Sequence, residues 1–154
     1  MGFFSKLGQG ISFLIWIGTL VVVFSICVFL FKTYMGNKDG GANLTQLQSK
    51  TWIWEEVRYR TSRSNGPLKQ DAFSVSFGGE GKFSATTDCN TLSGTYTMSG
   101  KEITFSNIAS TKMFCASSQE EEFTRLLTSS SAYHFDSGKL VLELQFNGGE
   151  VLFR

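Results

Sequence analysis

The chain has 154 residues and a net charge of +1, from 14 basic and 13 acidic side chains. The basic residues are scattered, so the electrostatic footprint of a nucleic-acid binder is missing, and any Ser/His or Cys/His catalytic pair would depend on the single histidine, His134. The apolar fraction of 42% is an average over two unlike parts, a lipid-like block near the N-terminus and a polar, Gly-rich remainder.

After a short flank, residues 1–10, the stretch from Ile11 to Phe31 reads ISFLIWIGTLVVVFSICVFLF without a charge. At about 1.5 Å per residue it reaches roughly 31 Å, one hydrocarbon thickness, and it is apolar all round. It is expected to be a transmembrane helix. It is too long for the core of a cleavable signal, and Phe29, Leu30, Phe31 and Lys32 stand where small residues would mark a cut site. Cys27 reads as a small buried hydrophobe rather than a lipidation site. The flanking charges nearly balance, with Lys6 on one side and Lys32 and Lys38 on the other. All of the folding sequence follows the span, so the expectation is a single-pass protein with its C-terminal domain on the extracytoplasmic side of the cell membrane. Residues 32–50 have the Gly/Asn/Gln composition of a flexible linker.

From residue 51 to 154 the pattern changes to period two. Trp52, Trp54 and Val57 open a first strand; Phe73, Val75 and Phe77 mark a second; Phe83 begins a third. Thr95–Met98 and Glu102–Phe105 flank Ser99 and Gly100 as a tight hairpin. Leu140, Leu142, Leu144 and Phe146 alternate with polar or outward positions, and Val151–Phe153 return after Asn147-Gly148-Gly149. Ser118-Gln119-Glu120-Glu121 reads as a capping box for one helix carrying Phe123, Leu126 and Leu127. The acids Glu120–Glu122 then sit in its first turn as dipole partners rather than as metal ligands. The fold class expected is α+β, mainly antiparallel β: a small, partly open barrel with one α-helix, its strand order left open.

Two cysteines fall in this domain, Cys89 and Cys115. An even count in an exported small domain points to a disulfide, which would stabilise by roughly 3.5 kcal/mol on the chain-entropy estimate. Two Cys and one His are too few for zinc, and Asp88 beside Cys89 disfavours a nucleophilic thiolate. Buried free thiols are the remaining alternative. His134, between Tyr133 and Phe135, reads as a surface residue. No catalytic, cofactor or metal constellation emerges, so neither an enzyme nor a cofactor is expected.

Several segments taken together resemble a known family. Phe83-Ser84-Ala85-Thr86-Thr87-Asp88-Cys89-Asn90, Gly94-Thr95-Tyr96, Ile103-Thr104-Phe105 and Ser110-Thr111-Lys112-Met113-Phe114-Cys115 are similar to the META domain of HslJ-like bacterial heat-shock proteins, over about residues 50–154. The resemblance implies a β-rich barrel with a helix, exported and membrane-associated, linked to envelope stress and without catalytic activity. The motif residues Asp88, Asn90, Gly94, Tyr96, Ser110, Thr111 and Met113 read as structural. Trp52, Trp54, Arg58, Tyr59, Arg60 and Arg63 form a candidate aromatic-basic partner surface, with the tryptophans alternatively in the core. The function expected is a membrane-tethered domain that binds an envelope protein or a hydrophobic ligand. The alternative is an inhibitor or accessory factor for an envelope hydrolase or secretion machine, acting through the loop from Arg58 to Pro67.

Overall fold

The computed structural model of the protein describes residues 20–30 and 43–154. Residues 20–30 are helical, with exposed apolar side chains and a free, exposed thiol on Cys27. The rest of the expected 11–31 span, the 1–10 flank and residues 31–42 lie outside the described residues. Among the described residues no helix is long and apolar enough to cross a membrane.

A separate unit, Ala42–Arg154, is a closed eight-stranded antiparallel barrel in which every strand pairs with its neighbours in sequence. The strands are β1 (Trp52–Tyr59), β2 (Ser74–Phe77), β3 (Lys82–Thr86), β4 (Thr91–Ser99), β5 (Glu102–Ser110), β6 (Ser130–Asp136), β7 (Lys139–Leu144) and β8 (Gly149–Phe153). One helix, α1 (Glu120–Thr128), stands between β5 and β6. β8 returns to pair with β1, from Trp54↔Phe153 to Tyr59↔Gly149.

The alternation read from the sequence survives because register shifts correct its phase, among them one in β6 between Ser130 and Ala132. In β1 the register shifts between Trp54 and Glu56, which lets Trp52, Trp54 and Val57 all point inward despite their odd spacing. In β4 and β5 it shifts between Ser93 and Thr95, opposite Asn107, which takes φ +53°. The hairpin turns follow from glycine. Gly100 at φ +60° opens the two-residue turn between Ser99 and Glu102; Ser137 and Gly138, both at positive φ, make that between Asp136 and Lys139.

The meander fixes which connections share an end. At one end lie the β2–β3, β4–β5 and β6–β7 turns and the chain entering β1; at the other lie the β1–β2, β3–β4 and β7–β8 connections and α1. The entry end is closed by residues 43–50, expected above to belong to a flexible tether. Residues 43–47 are helical, Leu47 is fully buried in the core, Trp52 Nε1 donates to the Leu47 carbonyl at 2.7 Å, and Gln48 Nε2 donates to the Gly78 carbonyl at 2.7 Å. The folded unit thus begins before residue 51, because an apolar side chain at position 47 has a barrel mouth to fill.

The far end is closed by α1, whose Phe123 ring centroid lies 5.7 Å from Trp54, 5.3 Å from Phe73 and 6.3 Å from Phe153. Nearer the entry end, Phe77 packs on Tyr96 and Phe105, and Phe105 on Phe83. Trp54 Nε1 has no nitrogen or oxygen partner among the described residues; its ring stands at 84° to that of Phe73, 5.3 Å away. Phe146 departs from the expected alternation: β7 stops at Leu144, and Phe146 sits in a single 3-10 turn at φ +56°, 98% exposed.

Candidate functional site

The far end concentrates the unusual surface. Leu68, Met113, Phe114 and Phe146, the exposed large apolar side chains of the barrel unit other than Leu44, all stand on its connections. The connection between β5 and α1 is held by three consecutive residues of the β3–β4 loop. Asp88 accepts from Ser118 Oγ at 2.6 Å and from the Gln119 N–H at 3.0 Å. Cys89 forms a disulfide with Cys115. The Asn90 carboxamide accepts from Thr111 Oγ1 at 2.8 Å and the Met113 N–H at 2.9 Å, and donates to the Met113 carbonyl at 3.1 Å. Thr87 orients this loop by accepting the Asn90 N–H at 2.7 Å.

This clamp gives the cysteine-centred motif its physical meaning. Asp88, Cys89 and Asn90 grip the segment that contains Thr111, Met113 and Cys115, while Ser110 Oγ donates to Glu120 Oε1 at 2.6 Å. The capping box read in the sequence is replaced: Ser118 Oγ accepts the Glu120 N–H at 3.1 Å, the Ser118 N–H goes to the Cys115 carbonyl at 3.3 Å rather than to Glu121, and the Gln119 N–H is taken by Asp88 from another loop. Gly94 and Tyr96 lie elsewhere. A Cβ on Gly94 would meet Phe83 Cε1 at 2.6 Å, and the Tyr96 hydroxyl donates to the Gly78 carbonyl at 3.0 Å, so both serve the core.

With both of its main-chain groups occupied, Met113 throws its side chain outward, and Phe114 is 96% exposed. Beneath them lies a groove of about 710 Å³ between β5 and α1, lined by Leu92, Ile108, Met113, Phe114, the disulfide and the helix residues Thr124, Arg125 and Thr128. A volume of that size is in the range that holds a small ligand or a few residues of a partner. The acids Glu120 and Glu121 line it, and neither has an ion-pair partner among the described residues. Leu92, Ile108 and Phe114 were not singled out from the sequence; the signal available was an aromatic, Phe114, in a segment with no strand or helix period.

The aromatic-basic patch does not assemble. Trp52 and Trp54 point into the barrel and are buried, because they hold the inward phase of β1, so of their two readings the core one holds and they leave the candidate surface. Tyr59 is half-buried against that core, and Arg58 is paired with Glu56, which holds its guanidinium above the ordinary pKa. Arg60 shares with Arg58 and Tyr59 a polar pocket of about 240 Å³ that Glu143 and Glu150 also line. Arg63 is exposed on the β1–β2 connection. That connection is pinned, Asn65 exchanging main-chain hydrogen bonds with Val57 at 2.6 and 2.9 Å and the Leu68 N–H donating to Gln119 Oε1 at 2.6 Å. His134 Nδ1 lies 3.1 Å from Glu143 Oε1 on the outer surface. Among the described residues no group of three His, Cys, Asp or Glu side chains is placed to hold a metal ion.

Solved structures share this architecture. A protein from Burkholderia xenovorans, determined by NMR, superposes with a TM-score of 0.59 at 18% identity, over 73% of this chain and 85% of that one. A crystal structure of a DUF4847 family protein from Bacteroides vulgatus gives a TM-score of 0.55 at 20% identity, over 70% and 92%. A third structure, determined by NMR, gives 0.52 at 22% identity, over 72% and 92%. At these identities the likeness is one of fold. No curated protein matches the chain by sequence. The sequence model of the META domain does match, over residues 45–154, so a span that runs from within the helical segment 43–47 to the end of the barrel places the chain in the META domain family.

Proposed function

We propose that this META domain is a binding module of the cell envelope, of the HslJ-like stress-associated kind, held at the membrane by the apolar segment of residues 11–31 and acting without catalysis. The observation that carries this reading is the groove under Met113 and Phe114. A triple clamp of hydrogen bonds and a disulfide fixes the main chain there while the two apolar side chains are left in solvent. Exposed apolar side chains on a rigid rim are costly unless a partner covers them. A catalytic reading lacks support at the same place, since both thiols are committed to the disulfide and His134 pairs with Glu143 on the outer surface. The partner is accordingly a protein or a hydrophobic ligand.

The test is site-specific photocrosslinking in intact cells, with a photoreactive residue at position 114 and a control at Thr97, exposed on β4. The groove reading expects a discrete adduct at position 114 that disappears when Met113→Glu is added. Equal labelling at positions 114 and 97 would end it.

A further inference from the structure

The barrel closes unevenly. β5 pairs with β4 from Glu102 to Ser110, but with β6 only through Glu102↔Ala132, supported by the Tyr133 N–H donating to the Lys101 carbonyl at 2.9 Å. Beyond Glu102 no strand among the described residues pairs with its outer side, and the strand carries a bulge at Asn107. The ladder shows which main-chain groups are left over. Counted from the two-residue turn, Glu102, Thr104 and Ser106 face β4, so the N–H and C=O of Phe105 face the seam. Past the bulge, the Thr111 N–H donates to the Thr91 carbonyl at 3.2 Å, which turns the main chain of Ser110 toward the seam as well. After Glu102, β5 carries neither a charged residue nor a proline, the usual guards of an open edge.

We propose that an extended, basic polypeptide segment docks in this seam, adding to the barrel as a strand on the free edge of β5 with its apolar side chains in the groove. The proposal rests on the groove reading above and names the groove's occupant. Main-chain donors and acceptors on β5 call for a partner with a main chain of its own, which a small hydrophobic ligand lacks. The charge selects its side chains: Glu120 and Glu121 line the groove without an ion-pair partner among the described residues, against Arg125 as the one cation of its wall. The same acids count against two other occupants. An anionic lipid surface would be repelled, and a second copy pairing through β5 would set these carboxylates against themselves.

The experiment follows backbone amide exchange by NMR on the full chain in mild detergent. The probe is a short end-capped peptide alternating valine and lysine, and the controls are its N-methylated form, blocked along one edge, and a valine–glutamate version. The expected result is slowed exchange at Phe105 and Ser110 with the lysine peptide, an affinity about tenfold lower after N-methylation, and one about threefold lower for Glu121→Gln. If the N-methylated peptide binds equally well, shifting Met113 and Phe114 without protecting Phe105 or Ser110, strand addition is overturned and the groove reading stands. If no peptide shifts either set and position 114 also gives no specific adduct, both fall. Protection that appears on concentrating the chain alone would replace the peptide with a second copy.

Discussion

Gly94 shows how little room a single residue has in this barrel. A Cβ there would stand 2.6 Å from Phe83 Cε1 and 2.9 Å from the Ser106 carbonyl oxygen, and the second contact is backbone that cannot swing aside. Gly94→Ala is therefore expected to cost about 2–3 kcal/mol in urea denaturation, whereas Gly79→Ala, with nothing within 4 Å, should stay within about 0.5 kcal/mol of the parent. Tyr133 makes a second case. Burial pushes its phenol above the ordinary 10.0, with a hydrogen bond to Asn43 pulling the other way. A raised folded pKa contributes stability that is complete below 10.0 and is lost as the pH climbs through the folded value, since the anion must then form inside the barrel. The chain should lose stability as the pH rises above 10.0, and Tyr133→Phe should flatten that limb in pH-dependent thermal melts.

At the scale of elements, the β3–β4 loop, the 111–119 segment and α1 behave as one unit tied by the clamp. Replacing Cys89 and Cys115 together by serine is expected to cost about 3.5 kcal/mol on the chain-entropy estimate. Amide exchange should rise first in residues 111–118, while the β1–β8 ladder stays protected; equal loss in both places would contradict the tie. Most strands and the helix were readable before folding was considered, because period-two runs such as Phe73-Val75-Phe77 and the Phe123, Leu126, Leu127 stripe report which face is buried. What was not readable is long-range. Asp88 caps α1 from 31 positions away, and Leu47 looks like linker until the barrel mouth above it exists. Phe146 misled for the converse reason: strand alternation has no marker for where the strand stops, and a turn with two consecutive non-glycine residues at φ +56° ended it. Of the site, the cysteine-centred residues were legible as a motif, whereas the groove exists only once β5, α1 and the clamp are assembled.

For the whole molecule, the disulfide and the proposed location make a joint prediction. With a membrane-impermeant maleimide on intact cells, Cys89 and Cys115 should be tagged only after reduction. Tagging that requires permeabilised cells would place the domain on the cytoplasmic side and remove the envelope reading, whatever the state of the groove. The ring of pairings has a consequence in time as well. β1 must wait for β8, nearly the full length of the domain, before its second edge is covered, and until then Trp52 and Trp54 lie on an open sheet. A machine that delivers the chain residue by residue therefore holds a sticky, half-built wall for most of the delivery. The passage from synthesis to closure, rather than the finished barrel, is where its apolar surface is most open to aggregation.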